Sequence, residues 1–196
     1  MFEKNRHLST TIWMAFLLIL SACATEQLSV VEELDELTAV TITYSRTPIV
    51  MSIDRSIDPR GQRDYLQIGA IEVNRMGTLQ YFLWLGISEM KHTEFADSRP
   101  RGFESIVFIA GGEEIQLDVL GWTHEAIGTS QPVYKKLFST SVDAYYEVTL
   151  DQIQLLTEAD GMKVRTRGSV PKEFVLWFRQ IAAKDDLADF LRTVLQ

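Results

Sequence analysis

Apolar and polar residues alternate over much of this chain, which is the period expected of β-strands with one buried face. Residues 38–45 show the alternation clearly, because Val40, Ile42 and Tyr44 are separated by threonines. Further apolar segments are bounded by glycine, proline and charged residues, which favour turns and loops. The strands predicted in this way are residues 38–45, 48–53, 65–73, 79–90, 103–110, 113–120, 145–148, 162–167 and 173–179.

One hairpin can be predicted together with its register. Two apolar segments flank the dipeptide Gly111-Gly112, which is typical of a two-residue hairpin turn. Residues that face each other across such a turn must be equidistant from it. The predicted cross-strand pairs are Phe108 with Ile115 and Ile106 with Leu117.

Two segments have the 3.6-residue period of an amphipathic helix instead. In residues 149–159, Thr149 is followed three residues later by Gln152, which is the arrangement of a capping box. Residues 185–196 carry a stripe of apolar side chains and begin with two aspartates that suit the helix dipole. The acidic residues 26–37 are predicted to be a short helix or a partly ordered tether.

Strands therefore outnumber helices. The predicted fold is mainly β (α+β), an antiparallel β-sandwich or open barrel with a short helix near 149–159 and a C-terminal amphipathic helix. We expect residues 38–196 to form a single β-rich domain, since no linker or internal repeat divides them.

The central strands carry apolar residues on both faces. In the predicted strand 79–90, alternate residues can form one face of a core, and Phe82 and Trp84 lie on the opposite face. In the hairpin, Val107 and Ile109 likewise lie opposite the face that can be buried. An antiparallel sheet covered on one side does not need apolar residues on the other. We therefore predict that something covers these four residues. The alternatives are the C-terminal helix, residues 185–196, and a partner protein or lipid, which would make them an interaction face.

The first residues of the chain have the zones of a signal peptide. Lys4 and Arg6 make the start basic, and residues 11–20 are almost continuously apolar. These ten residues span about 15 Å as a helix, about half the hydrocarbon core of a bilayer. The length is that of a signal-peptide core, and it is too short for a membrane span.

The residues that follow, Leu20-Ser21-Ala22-Cys23, resemble the lipobox of bacterial lipoproteins. This resemblance covers residues 1–23. It implies that residues 1–22 are removed, that the sulfur of Cys23 is acylated, and that residues 23–37 tether the domain to its lipid anchor. Ala24 stands where an aspartate would imply retention in the inner membrane, so the resemblance implies an outer-membrane protein that faces the periplasm.

The net charge of the chain limits which classes of partner it can bind. The chain has 19 basic and 27 acidic residues, a net charge of −8, and loss of residues 1–22 would leave 17 and 26. A domain this acidic is a poor partner for nucleic acid or an anionic lipid surface. Cys23 is the single cysteine, so stability must come from burial and not from disulfides.

The residues predict no cofactor, no metal and no catalytic site. His92, Glu94 and His124 are the candidates for a metal site, and His124 with Glu125 for a catalytic pair. Their spacing matches no metal-binding motif, and the chain lacks the GxSxG motif of serine hydrolases. We expect these side chains to be solvated loop residues.

Three functions remain open. The first, which we favour, is an envelope lipoprotein with a non-catalytic β-rich domain that binds another protein or supports an envelope assembly. The second is a periplasmic binder of a small apolar or lipid ligand, which would need a large apolar cavity. The third is a hydrolase-type enzyme whose site is built from isolated residues.

Overall fold

The computed structural model describes residues 28–53, 63–89, 99–159, 161–178 and 181–196. All nine predicted strands are present, together with one that was not predicted. The strands are β1 (Val30–Asp35), β2 (Val40–Ser45), β3 (Ile49–Ser52), β4 (Tyr65–Arg75), β5 (Thr78–Ser88), β6 (Ser105–Ala110), β7 (Glu113–Gly121), β8 (Val142–Val148), β9 (Met162–Thr166) and β10 (Glu173–Leu176). The helices are α1 (Leu150–Glu158) and α2 (Ile181–Val194), and a short 3₁₀ helix spans His124–Ile127.

Eight of the described strands close an antiparallel barrel in the order β3-β4-β5-β8-β7-β6-β9-β10. The barrel is closed and not open because β10 pairs with both β9 and β3. Closure removes the free edges that an open sheet of this size would expose. The predicted fold class, mainly β and antiparallel with a helix near 149–159 and a C-terminal helix, is confirmed.

The predicted hairpin and both predicted helices are confirmed. Strands β6 and β7 pair in the expected register across Gly111-Gly112. Helix α1 begins with the predicted capping box, in which Thr149 Oγ1 accepts from Gln152 N and Thr149 N donates to Gln152 Oε1. Helix α2 begins four residues earlier than predicted, at Ile181. Neither helix is long and apolar enough to cross a membrane.

Strand β4 is long enough to pair with two strands along one edge. Its first residues pair with β3 as far as Ile68, and β2 takes over from Ile71, so β2 and β1 extend the barrel wall. The backbone groups of Ala70 lie at the change of partner. Its N–H donates to Ser45 Oγ at 3.4 Å, and its C=O accepts from Tyr134 Oη at 2.8 Å. Side chains therefore satisfy the backbone where the ladder is interrupted.

The barrel interior is filled with side chains, and we call this cluster the barrel core. Strand β5 contributes Leu83, Leu85 and Ile87, while α1 and α2 pack on it with residues that include Leu156 and Phe190. The gap between the strands and α2 has a volume of about 10 Å³. That is barely the space that one water molecule needs. This gap is therefore too small for a ligand larger than a water molecule.

Residues 30–35 form a strand. Of the two alternatives predicted for residues 26–37, a short helix or a partly ordered tether, the helix is therefore wrong there. The helical spacing of Val30, Leu34 and Leu37 suggested a helix, but a helix this short is marginal unless a face of it packs. Pairing with β2 along its whole length gives alternate residues of β1 their backbone hydrogen bonds instead. The consequence is that Leu34 and Leu37 are exposed.

Candidate functional site

The predicted interaction face does not exist as one surface. Phe82 and Trp84 are fully buried, with Trp84 at 0% exposure, so they cannot meet a partner. Val107 is buried too, and Ile109 is half-buried, on a different part of the wall. There the cross-strand neighbours of these two residues are polar or charged, which is ordinary for an outer barrel wall.

A second core covers Phe82 and Trp84. Residues 129–141, here called the strap, cross the outer face of β4, β5 and β8. The ring of Tyr134 stacks on Trp84 with a centroid distance of 4.8 Å, and Leu137 N donates to Gln67 Oε1 at 2.6 Å. The prediction that the C-terminal helix covers this face is wrong, because α2 packs on the barrel core instead. The cover comes from a loop whose sequence has no repeating apolar pattern.

The other candidate residues are not brought together into a site that the structure describes. Cys23, His92 and Glu94 lie outside the described residues. His124 Nε2 lies 3.1 Å from the carbonyl oxygen of Ser130 and 3.6 Å from Glu125 Oε1, so its contacts are local. Within the described ranges, no three histidine, cysteine, aspartate or glutamate side chains are placed to hold a metal ion.

A cluster of buried charges lies at the end of the barrel where β4 begins. Lys172 Nζ contacts Asp64 Oδ2 at 3.1 Å and also forms an ion pair with Glu89. The carboxylates are almost fully buried, at 3% and 5% exposure. We call these three residues the ionic cluster. It ties the turn between β9 and β10 to the ends of β4 and β5, and nothing in the sequence marked it, since its members are 25 or more residues apart.

The candidate binding site is a groove of about 330 Å³ between β1 and the strap. Its lining combines apolar and acidic side chains. These are Glu33, Leu34, Asp35, Glu36, Leu37, Ile42, Ser130, Gln131 and Pro132. Most of them lie in residues 26–37, where the sequence predicted a short helix or a tether and no site. Only the pairing of β1 with β2 and the course of the strap create the groove.

Asp35 holds the two walls of the groove together. Its carboxylate accepts from Ser130 N at 2.5 Å, from Ser130 Oγ at 2.7 Å and from Leu37 N at 3.1 Å. The hydrogen bond from the Ser130 backbone is the main reason why the pKa of Asp35 lies well below its usual range. Asp35 is therefore a structural anion, and the neighbouring Glu33 and Glu36 are the exposed carboxylates of the groove.

Glu72 is a buried carboxyl on β4, in the part of β4 that pairs with β2. It lies between Thr43 of β2 and Tyr81 of β5 in the ladder. Burial raises its pKa, partly offset by hydrogen bonds from Tyr81 and Thr43. Folding therefore makes this carboxyl harder to ionise than it is in the unfolded chain.

We expect Glu72→Gln to raise the melting temperature more at pH 7 than near pH 4. A carboxyl whose pKa is raised by folding makes its full contribution to the free energy of unfolding below its unfolded pKa, about 4.3. That contribution is lost as the pH rises through the pKa of the folded state. Glutamine is neutral at both pH values and can still accept from Tyr81 and Thr43. Thermal unfolding followed by circular dichroism at the two pH values tests this, with exposed Glu147→Gln as the control. An equal change at both pH values would contradict it.

Comparison with known proteins finds no protein-family model, no curated protein and no solved structure that matches the chain. The case for a function therefore comes from the lipobox-like residues 20–23, the filled barrel and the groove beside β1.

Proposed function

We propose that this protein is a lipid-anchored envelope protein whose barrel domain binds another protein through the groove beside β1. The anchor would be acylated Cys23, by resemblance to the lipobox, and the position of Ala24 favours the outer membrane with the domain in the periplasm. The observation that carries the proposal is the outer edge of β1, which has no strand partner among the described residues. The filled barrel makes an internal ligand the weaker alternative.

The backbone of β1 is suited to accept an extended segment. Arg46 N donates to Ser29 O at 2.8 Å, which makes these two residues a hydrogen-bonded pair of the β1–β2 ladder. Such pairs recur at every second residue of an antiparallel ladder. The N–H and C=O groups of Glu32 and Leu34 therefore point away from β2. A segment that adds to this edge would gain main-chain hydrogen bonds, which is a common mode of peptide recognition.

The side chains indicate the chemistry of the partner. Glu32, Glu33 and Glu36 are exposed acidic residues on or beside the edge, and Leu34 and Leu37 are exposed apolar ones. A second copy of this chain would bring like charges together across the new pair, which is unfavourable. A basic, extended segment with apolar side chains fits both the charge and the groove.

Site-specific photo-crosslinking in the native membrane tests the proposal. A benzophenone amino acid at Leu34 should form an adduct of one defined mass. The same residue at Leu120, which is also exposed but lies on β7 of the barrel wall, should form none. Mass spectrometry of the same extract should show an acylated Cys23 as the first residue.

Glu32→Pro provides the decisive variant. Proline removes an N–H that points away from β2, so the β1–β2 ladder should survive and the melting temperature should change little. The Leu34 adduct should nevertheless be lost. Equal adducts at Leu34 and Leu120, or an adduct that Glu32→Pro leaves unchanged, would contradict binding at this edge.

A further inference from the structure

Four aromatic side chains form a cluster on the outer wall at the end of the barrel where β4 begins. The ring of Tyr65 lies 5.5 Å from that of Trp177 and 6.2 Å from that of Phe138, and Phe178 lies 4.6 Å from Trp177. The Arg63 guanidinium stands over the Trp177 ring at 4.6 Å. We call Tyr65, Phe138, Trp177 and Phe178 the aromatic cluster.

The cluster keeps large apolar surface in contact with solvent. The side chain of Phe178 is 75% exposed, and Phe138 and its neighbour Leu137 are exposed as well. Phe178 also has a φ of 56°, in the left-handed region that non-glycine residues rarely adopt. Exposed apolar surface contributed by several neighbouring large side chains can mark a site of contact with a membrane or another molecule.

The described chain enters β1 from the side of the barrel end where β4 begins. Strands β1 and β4 run in the same direction, because each is antiparallel to β2. Val30 pairs with Ser45, whose hydroxyl bonds Ala70 N, so the start of β1 lies level with Ala70. Ser29, which bonds Arg46, therefore lies on the side of Val30 toward Tyr65, whose level is about 17 Å from that of Ala70 along β4.

The length of the tether limits how far the cluster can lie from the anchor. Leu28 is five residues from Cys23, and five residues span at most about 18 Å. An acylated Cys23 would thus hold the Tyr65 end of the barrel near the bilayer surface. The turn at Met76 lies at the other end of β4, about 35 Å from Tyr65 along the strand direction.

We infer that the aromatic cluster inserts into the headgroup region of the bilayer that holds Cys23. This inference rests on the proposed lipid anchor. Tyrosine and tryptophan favour the membrane interface, because their rings are apolar with one polar group. Arg63 contacts the cluster and exposed Lys135 lies on the strap, so both can meet lipid phosphate. The acidic residues Asp64 and Glu89 at this end are buried and paired with Lys172. The domain would then lie on the membrane in one orientation, with the groove beside β1 available to a partner.

Single-thiol labelling of the lipidated protein tests this orientation. Acylation blocks the single native cysteine, so Phe178→Cys would carry the one reactive thiol. Met76→Cys is a closely matched control, because Met76 is also exposed, at 94%, and also has a positive φ, 52°. Each variant is labelled with a polarity-sensitive fluorophore and reconstituted into phosphatidylcholine vesicles, whose neutral surface avoids repulsion of the acidic domain.

The label at position 178 should shift its emission to shorter wavelength, be quenched by nitroxide-labelled lipid and lose its quenching by iodide. The label at position 76 should remain open to iodide and untouched by the lipid quencher. Phe138→Cys provides a second reporter in the cluster, should the Phe178 variant disturb the fold.

The outcomes separate the two proposals. If the protein floats with the vesicles and carries the acyl mass on Cys23, but labels at 178 and 138 are as open to iodide as that at 76, the aromatic docking is wrong and the anchor stands. If Cys23 carries no acyl group and the protein does not float, the anchor is wrong and the docking inference fails with it.

Discussion

Replacing Lys172 by methionine is expected to lower the free energy of unfolding by about 3 kcal/mol. The variant leaves the carboxylates of Asp64 and Glu89 buried without the ammonium group that both contact. Removing one partner of a buried ion pair typically costs about 3–5 kcal/mol, because the remaining carboxylates stay desolvated and lose the attraction of that ammonium group. The lower value is expected here, since the lysine side chain is 28% exposed.

Urea unfolding of wild-type and variant protein measures this loss. Lys163→Met is the matched control in the same hairpin, because Lys163 pairs with Glu173 at 2.9 Å between two half-exposed side chains. Such a surface pair contributes only about 0–1 kcal/mol. Similar losses for the two variants would show that the ionic cluster is no more important than an ordinary surface pair.

Gly69→Ala is expected to destabilise the protein by about 3–5 kcal/mol, as much as truncating a large buried aromatic residue. A Cβ atom at this position would lie 2.2 Å from Cζ of Tyr134, and the Tyr134 ring is held between Gly69 and the Trp84 indole. The ring must therefore leave its site. Its stacking on Trp84 and its hydrogen bond to Ala70 O are then lost together.

The double variant Gly69→Ala/Tyr134→Ala separates this mechanism from a general effect of alanine in a strand. Without the Tyr134 ring the new methyl group has space, so the double variant should be no less stable than Tyr134→Ala alone. Gly161→Ala is the control, since a Cβ atom there would meet nothing within 4 Å among the described residues beyond its chain neighbours, and Gly161 lacks a left-handed φ. Additive losses in the double variant would rule out the steric conflict.

The parts of the fold that could be predicted from sequence are those governed by neighbouring residues. The hairpin register followed from Gly111-Gly112, because a two-residue turn determines which residues face each other. The start of α1 followed from Thr149 and Gln152, because a capping box is complete within four residues. Alternation along each segment gave the strands for the same reason.

The helix predicted at β1 is wrong because the conformation there depends on hairpin pairing with β2, which begins only five residues after β1 ends. Its spacing of apolar residues was helical, and the decisive hydrogen bonds come from β2. Closure of the barrel was missed for a similar reason, since it depends on the pairing of β10 with β3, more than 100 residues earlier. Local periodicity carries no information about which strands meet.

The candidate site shows the same division. The sequence by itself determined that Phe82 and Trp84 need a cover, because apolar residues on both faces of a strand cannot both remain in water. Only the tertiary structure decided that the strap supplies this cover, since a single ring, Tyr134, fits over a glycine on the adjacent strand. The groove beside β1, the ionic cluster and the aromatic cluster likewise each join segments far apart in sequence. Contacts of this kind are decided by shape and burial after the chain has closed, and the pattern of residues along it does not record them.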